Sequence, residues 1–78
     1  MNVSLADLWT LACFTYKKEE KGEKVTYETY VEKFGAVAID ACLEKMKSEN
    51  SPFIFKSGDS YHTSRSFEAA FKEIRNLM

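Results

Sequence analysis

One histidine, one proline, two cysteines and three glycines are spread over 78 residues, and each scarcity closes off a class of chemistry. Gly22, Gly35 and Gly58 stand alone, so no glycine-rich loop is present to cradle a phosphate chain. Cys13 and Cys42 lack the short spacing of a zinc or redox pair, and the lone His62 has no carboxylate or nucleophile at fixed spacing. The expectation is no metal, no cofactor, no small-molecule substrate and no catalysis. No apolar run approaches the roughly 20 residues that cross a bilayer. The opening Met1-Asn2-Val3-Ser4 has neither the basic segment nor the apolar run of a signal peptide. A cytoplasmic protein without membrane contact is expected, a setting that favours two small buried thiols over a disulfide. Charge of one sign is missing too. Eleven basic against twelve acidic residues leave a net charge of −1, whereas a dedicated nucleic-acid binder usually has a basic domain.

Apolar side chains are not scarce. They make up 45% of the chain, with 14% aromatic, which excludes disorder by composition and suffices for one core. Residues 1–78 form one domain. A chain of this length buries only roughly 60% of its unfolded surface, so its stability is expected to be marginal.

The chain is organised around Ala36 to Lys47. There Ile39, Cys42, Leu43 and Met46 recur at i, i+3, i+4 and i+7, one face of a helix, with Asp40, Glu44, Lys45 and Lys47 off the stripe. Leu8, Ile39, Leu43 and Met46 are the expected core. An earlier helix opens at Ser4, with Asp7 three residues on in an approximate capping box, and carries Leu5, Leu8, Trp9, Ala12, Cys13 and Tyr16. Phe14 lies outside this stripe, either as a second contact such as a dimer surface or as a single exposed aromatic. Lys17 to Lys24 is a mixed-charge run whose neighbours largely cancel; it reads as a solvated helix end and loop, not a phosphate-binding patch. Thr26 then caps a short helix bearing Tyr27, Tyr30, Val31 and Phe34, which Gly35 ends. The organising helix stops near Asn50, ahead of Pro52.

Phe53 to Lys56 and Ser60 to Thr63 read as a hairpin. A two-residue loop at Gly58-Asp59 and a four-residue loop from Ser57 to Ser60 give one register, with Phe55 facing His62 and Lys56 facing Tyr61. One face carries Phe53, Phe55 and His62, the other Ile54 and Tyr61. A last helix, opened by Ser64 or Ser66, carries Phe67, Ala70, Phe71, Ile74 and Leu77, widened by Met78.

From Val25 to Thr63 this order resembles the winged helix-turn-helix superfamily, and Ser4 to Tyr16 fits its first helix. The resemblance rests on Ile39, Leu43 and Met46, on Phe53-Ile54 as first wing strand, and on Gly58 through Tyr61 as turn and return. It implies a mainly α fold with a small β-hairpin: a three-helix core, a two-stranded wing and a C-terminal helix. It further implies a DNA-binding transcriptional regulator, dimeric, with Lys45, Lys47, Lys56, His62 and Arg65 at the DNA or partner surface. Two departures stand against DNA. The turn at Phe34-Gly35-Ala36 is shorter than in DNA-binding members. The start of the third helix offers Gly35-Ala36-Val37-Ala38 and then Asp40 and Glu44, where base-reading side chains belong. Those departures favour a protein–protein interaction module, an adaptor or small inhibitor that keeps the fold without nucleic acid; a structural subunit is the third reading. Phe14, Phe67, Phe71, Ile74 and Leu77 are the candidate self-association residues, against the alternative that the last helix finishes the monomer core.

Overall fold

Ser4 begins the first helix as its residue types dictate. In the computed structural model, which describes residues 3–48 and 53–77, the Ser4 hydroxyl accepts from the Asp7 amide and the Asp7 carboxylate accepts from the Ser4 amide. Two free N–H groups are thereby satisfied, and a carboxylate sits at the positive end of the helix dipole. Helix α1 spans Leu5–Glu20, α2 Tyr27–Phe34 and α3 Ala36–Ser48; strands β1 (Ile54–Ser57) and β2 (Ser60–Thr63) precede α4, Arg65–Leu77. The architecture is mainly helical with one antiparallel hairpin. The helix stop near Asn50 and Pro52 and the contribution of Met78 lie outside the described residues.

Helix α1 runs a full turn further than the mixed-charge reading placed its end, through Lys17 to Glu20. Thr26 caps α2 in a second reciprocal box with Thr29. A single residue joins α2 to α3: Gly35 adopts φ 92, a conformation that side-chain-bearing residues rarely enter. Its N–H bonds the Val31 carbonyl at 2.8 Å, closing α2, while its own carbonyl accepts from Ile39 and opens α3.

The hairpin has the expected register, with Phe55 opposite His62 and Lys56 opposite Tyr61. Ser57 pairs Ser60, so the loop is the two-residue Gly58-Asp59, with Gly58 at φ 64. Three backbone amides anchor it. Tyr61 N–H bonds the Val25 carbonyl at 2.8 Å, Thr63 N–H the Glu19 carboxylate at 2.8 Å, and Ser64 N–H the Phe53 carbonyl at 2.9 Å. Lys24 reaches Asp59 at the hairpin tip, 3.1 Å away. Ser64, not Ser66, then opens α4: its hydroxyl accepts from the Phe67 amide and its carbonyl from the Glu68 amide.

Helix α1 is covered on two flanks. On one lies the larger apolar cluster: Leu8, Leu11, Val25, Tyr30, Ile39, Cys42, Met46 and Tyr61. On the other Ala12, Tyr16 and Phe67 are buried, with Trp9, Cys13, Phe53 and Phe71 around them. Burial of each large side chain contributes about 1.5–3 kcal/mol. Thr15 is buried between the two; its hydroxyl donates to the Leu11 carbonyl and therefore accepts from the Tyr30 hydroxyl. Among the described residues no buried side-chain polar atom lacks a partner. Nor is any helix there long and apolar enough to cross a membrane.

Three burial expectations are corrected. Leu43 is only partly buried, on the margin of the larger cluster beneath the hairpin, unlike Leu8, Ile39 and Met46. Leu5 is 64% exposed, because phase alone does not bury a residue in a first turn without an element opposite it. Phe14 is not a free surface aromatic: it is partly buried and packs on Phe34 and Tyr30, ring centroids 5.3 and 6.1 Å away.

Candidate functional site

The expected surface residues divide between places. Lys47, near the end of α3, and Lys56, on β1, line one groove of about 340 Å³ between that helix and the hairpin. Leu43, Met46, Ile54, Phe55 and Tyr61 complete its lining, so apolar and aromatic side chains share the groove with two lysines. The Lys56 Nζ stands 5.8 Å from the centre of the Tyr61 ring, a cation–π placement that holds the charge over an apolar wall. Phe55 is 53% exposed.

The remaining three lie elsewhere. Lys45 is on α3 and Arg65 is the exposed first residue of α4; neither lines this groove. His62 projects from the opposite face of the hairpin, its ring 5.5 Å from that of Phe55 and its Nδ1 3.8 Å from Glu19 Oε1. That same carboxylate oxygen accepts from the Thr63 amide, so Glu19 binds the return strand to the end of α1. Its place is explained by tethering. Among the described residues no group of three or more His, Cys, Asp or Glu side chains could hold a metal ion.

The outer side of α3 is acidic and apolar. Val37 is 73% exposed, Asp40 and Glu44 are exposed, and Asp40 accepts from the Tyr27 hydroxyl at 2.6 Å. That bond, more than any other influence, raises the Tyr27 phenol above its ordinary range.

Of the self-association candidates, Phe67 is corrected outright. It is fully buried against Trp9 (4.7 Å between ring centroids) and Phe71 (5.7 Å), so it finishes the monomer core. Phe71 is partly buried on Tyr16. Ile74 and Leu77 remain outside, 47% and 83% exposed.

Sequence reasoning missed a second concavity of about 450 Å³ between the later turns of α1 and the end of α2. Lys17, Lys18, Lys21 and Lys33 line it, above Cys13, Phe14 and Phe34. The signal was present in the sequence: Lys17 and Lys21 are one helical turn apart, provided that α1 continues past Tyr16. Comparison with protein-family models, with curated proteins and with solved structures finds no match for this chain.

Proposed function

We propose that this chain is a non-catalytic binding module of winged helix-turn-helix type whose groove between α3 and the hairpin receives a protein segment. The observation that carries the reading is the composition of that groove: Leu43, Met46, Ile54, Phe55 and Tyr61 line it together with Lys47 and Lys56. Such a surface suits an apolar anchor residue flanked by acidic ones, since the anchor is desolvated while the carboxylates meet the lysines in partial solvent. The winged assignment is supported by the order of elements and by the Tyr61–Val25 backbone bond, which sets the residue before the α2 cap beside β2 in the manner of a third strand. A cytoplasmic setting belongs to the same reading, and the free thiols Cys13 and Cys42 suit it.

A DNA-binding regulator is the second reading. It is favoured by Lys47 and Lys56 meeting on one groove, with Lys45 on the same helix and Arg65 on α4 as further cations. Weighing against it are Val37, Asp40 and Glu44 on the exposed side of α3 and Asp59 at the hairpin tip, which bring carboxylates toward phosphates. One pair of measurements separates the two. Selection from a random peptide library should return sequences with an apolar anchor and acidic flanks, and Leu43→Asp should abolish their binding. Duplex DNA at low salt should show no binding. The reading fails if no peptide is selected and DNA binds with a log–log salt slope that falls by about one for each of Lys47 and Lys56 removed.

A further inference from the structure

We infer that the basin between the later turns of α1 and the end of α2 is a binding site for a small phosphorylated molecule, separate from the α3–hairpin groove. In the sequence, Lys17, Lys18 and Lys21 alternate with Glu19, Glu20 and Glu23, and the charges cancel on paper. The fold sorts them. Glu19 turns to the Thr63 amide and His62, and Glu20 faces Arg75 at 3.8 Å. Glu23 lies 3.2 Å from Lys18 and offsets that one cation. Lys17 and Lys21 are left on one side of α1, and Lys33 joins them from the last turn of α2. Among the described residues no carboxylate lines the basin. Glu32, next to Lys33 in sequence, lines an adjoining hollow that shares Phe14, Lys18 and Lys33 with the basin, and so lies beside it without lining it.

Lysines in the last turns of α1 and α2 also complement the helix dipoles, and that accounts for lysines at helix ends. It does not account for convergence on one concavity, since the dipole is served equally from any side of the helix. Three ammonium groups around one hollow repel each other, and a multiply charged anion relieves this better than a single carboxylate. The volume, about 450 Å³, falls in the range of small-molecule clefts. The floor of Phe14 and Phe34, rings edge to face at 5.3 Å, offers an apolar bed for the body that carries the phosphate. Beside them the Cys13 thiol is raised by burial, with the Lys17 charge acting in the opposite direction.

The probe is phenyl phosphate, titrated at fixed ionic strength against the intact chain with amide chemical shifts as readout. Saturable shifts confined to residues 10–21 and 33–34 are expected, with phenol at least roughly tenfold weaker because it lacks the charge-assisted bonds. The triple variant Lys17→Gln/Lys21→Gln/Lys33→Gln should weaken binding by at least about tenfold on the same grounds. If the triple variant does not fold, Lys33→Gln alone should weaken it measurably. Lys47→Gln/Lys56→Gln should leave it unchanged, so failure here is distinct from failure at the other groove. Shifts that never saturate, that spread over all lysines, or that survive the lysine substitutions overturn the inference. So does duplex DNA binding this basin more tightly than phenyl phosphate, which would make it a backbone-phosphate surface.

Discussion

The two flanks of α1 are built differently. Among the described residues, the flank facing α2, α3 and β2 encloses eight buried ones, from Leu8 and Leu11 to Met46 and Tyr61, closed by the Thr15–Tyr30 hydroxyl pair. The flank facing α4 encloses three, Ala12, Tyr16 and Phe67, and is completed by partly buried rings. Aromatic rings meeting at angles, as Trp9 meets Phe53 at 86° and Tyr16 meets Phe67 at 62°, cover area with few residues. The thinner flank therefore leans heavily on one side chain. It also leaves part of its helix, Ile74 and Leu77, uncovered.

Phe67→Ala is the strongest way to break that comparison. It should cost about 3–5 kcal/mol, because the fully buried ring touches Trp9, Tyr16, Phe53 and Phe71 at once. Amide exchange in α4 should accelerate more than exchange in α2 and α3. Equal acceleration in all helices would show that the flanks are one cooperative unit. Leu8→Ala, on the thicker side, should cost about 2–5 kcal/mol and should accelerate exchange throughout. Thermal unfolding followed by the near-ultraviolet signal of Trp9 gives both values.

How much of this was legible beforehand depended on range. Ser4 with Asp7, Thr26, Gly35 and Gly58-Asp59 act through bonds a few residues long, and the sequence announces them. Periodicity also located Ile39, Cys42 and Met46. It could not say which flanks of a helix would be covered. Leu11 and Thr15 were overlooked because α1 is buried on both sides, and Leu43 was placed too deep because the hairpin beside it leaves a groove. The basin lysines were obscured by a boundary error. Reading Lys17 to Lys24 as a solvated helix end and loop leaves its charges cancelling; a helix that continues to Glu20 puts Lys17 and Lys21 on one side and directs Glu19 and Glu20 to the hairpin and α4. The backbone bond between Tyr61 and Val25 joins residues too distant in sequence for any local pattern to announce.

A smaller effect sharpens the comparison at the thicker flank. Thr15→Val leaves the Tyr30 hydroxyl buried without its partner and should cost about 1–3 kcal/mol. Tyr30→Phe removes the hydroxyl itself while the Thr15–Leu11 bond remains, and should cost less, about 0.5–1.5 kcal/mol. Denaturant midpoints in the reverse order would show that the hydroxyl pair does not define this flank.

The same phenol gives the thicker flank a pH signature. Burial raises Tyr30 well above the ordinary tyrosine range. In the unfolded chain it releases its proton near pH 10, while in the folded chain it keeps it. Above about pH 10 the unfolded state therefore binds fewer protons, and stability falls as pH rises. Cys13 and Cys42, raised by burial, Tyr27, raised by its bond to Asp40, and Lys72, raised by its bond to Glu68, act with the same sign. Tyr30→Phe should make the alkaline decline shallower, read from denaturant midpoints across that range. An unchanged slope would assign the decline to the other four groups.

The smallest effect concerns the uncovered end of α4. Ile74 and Leu77 are exposed, but Phe67 is inside the monomer and Phe71 and Phe14 are engaged with Tyr16, Tyr30 and Phe34. Two side chains at a helix tip supply far less than the roughly 1,200–2,000 Å² that a stable interface buries. The chain should accordingly sediment as a 9.0 kDa species at micromolar concentration. Ile74→Asp/Leu77→Asp should change neither that result nor, beyond about 0.5 kcal/mol, the stability, as is usual for surface substitutions. A species of twice the mass that the double substitution dissolves would reverse the argument. The thin flank would then be one half of an interface, with a second copy supplying the cover that α1 alone does not.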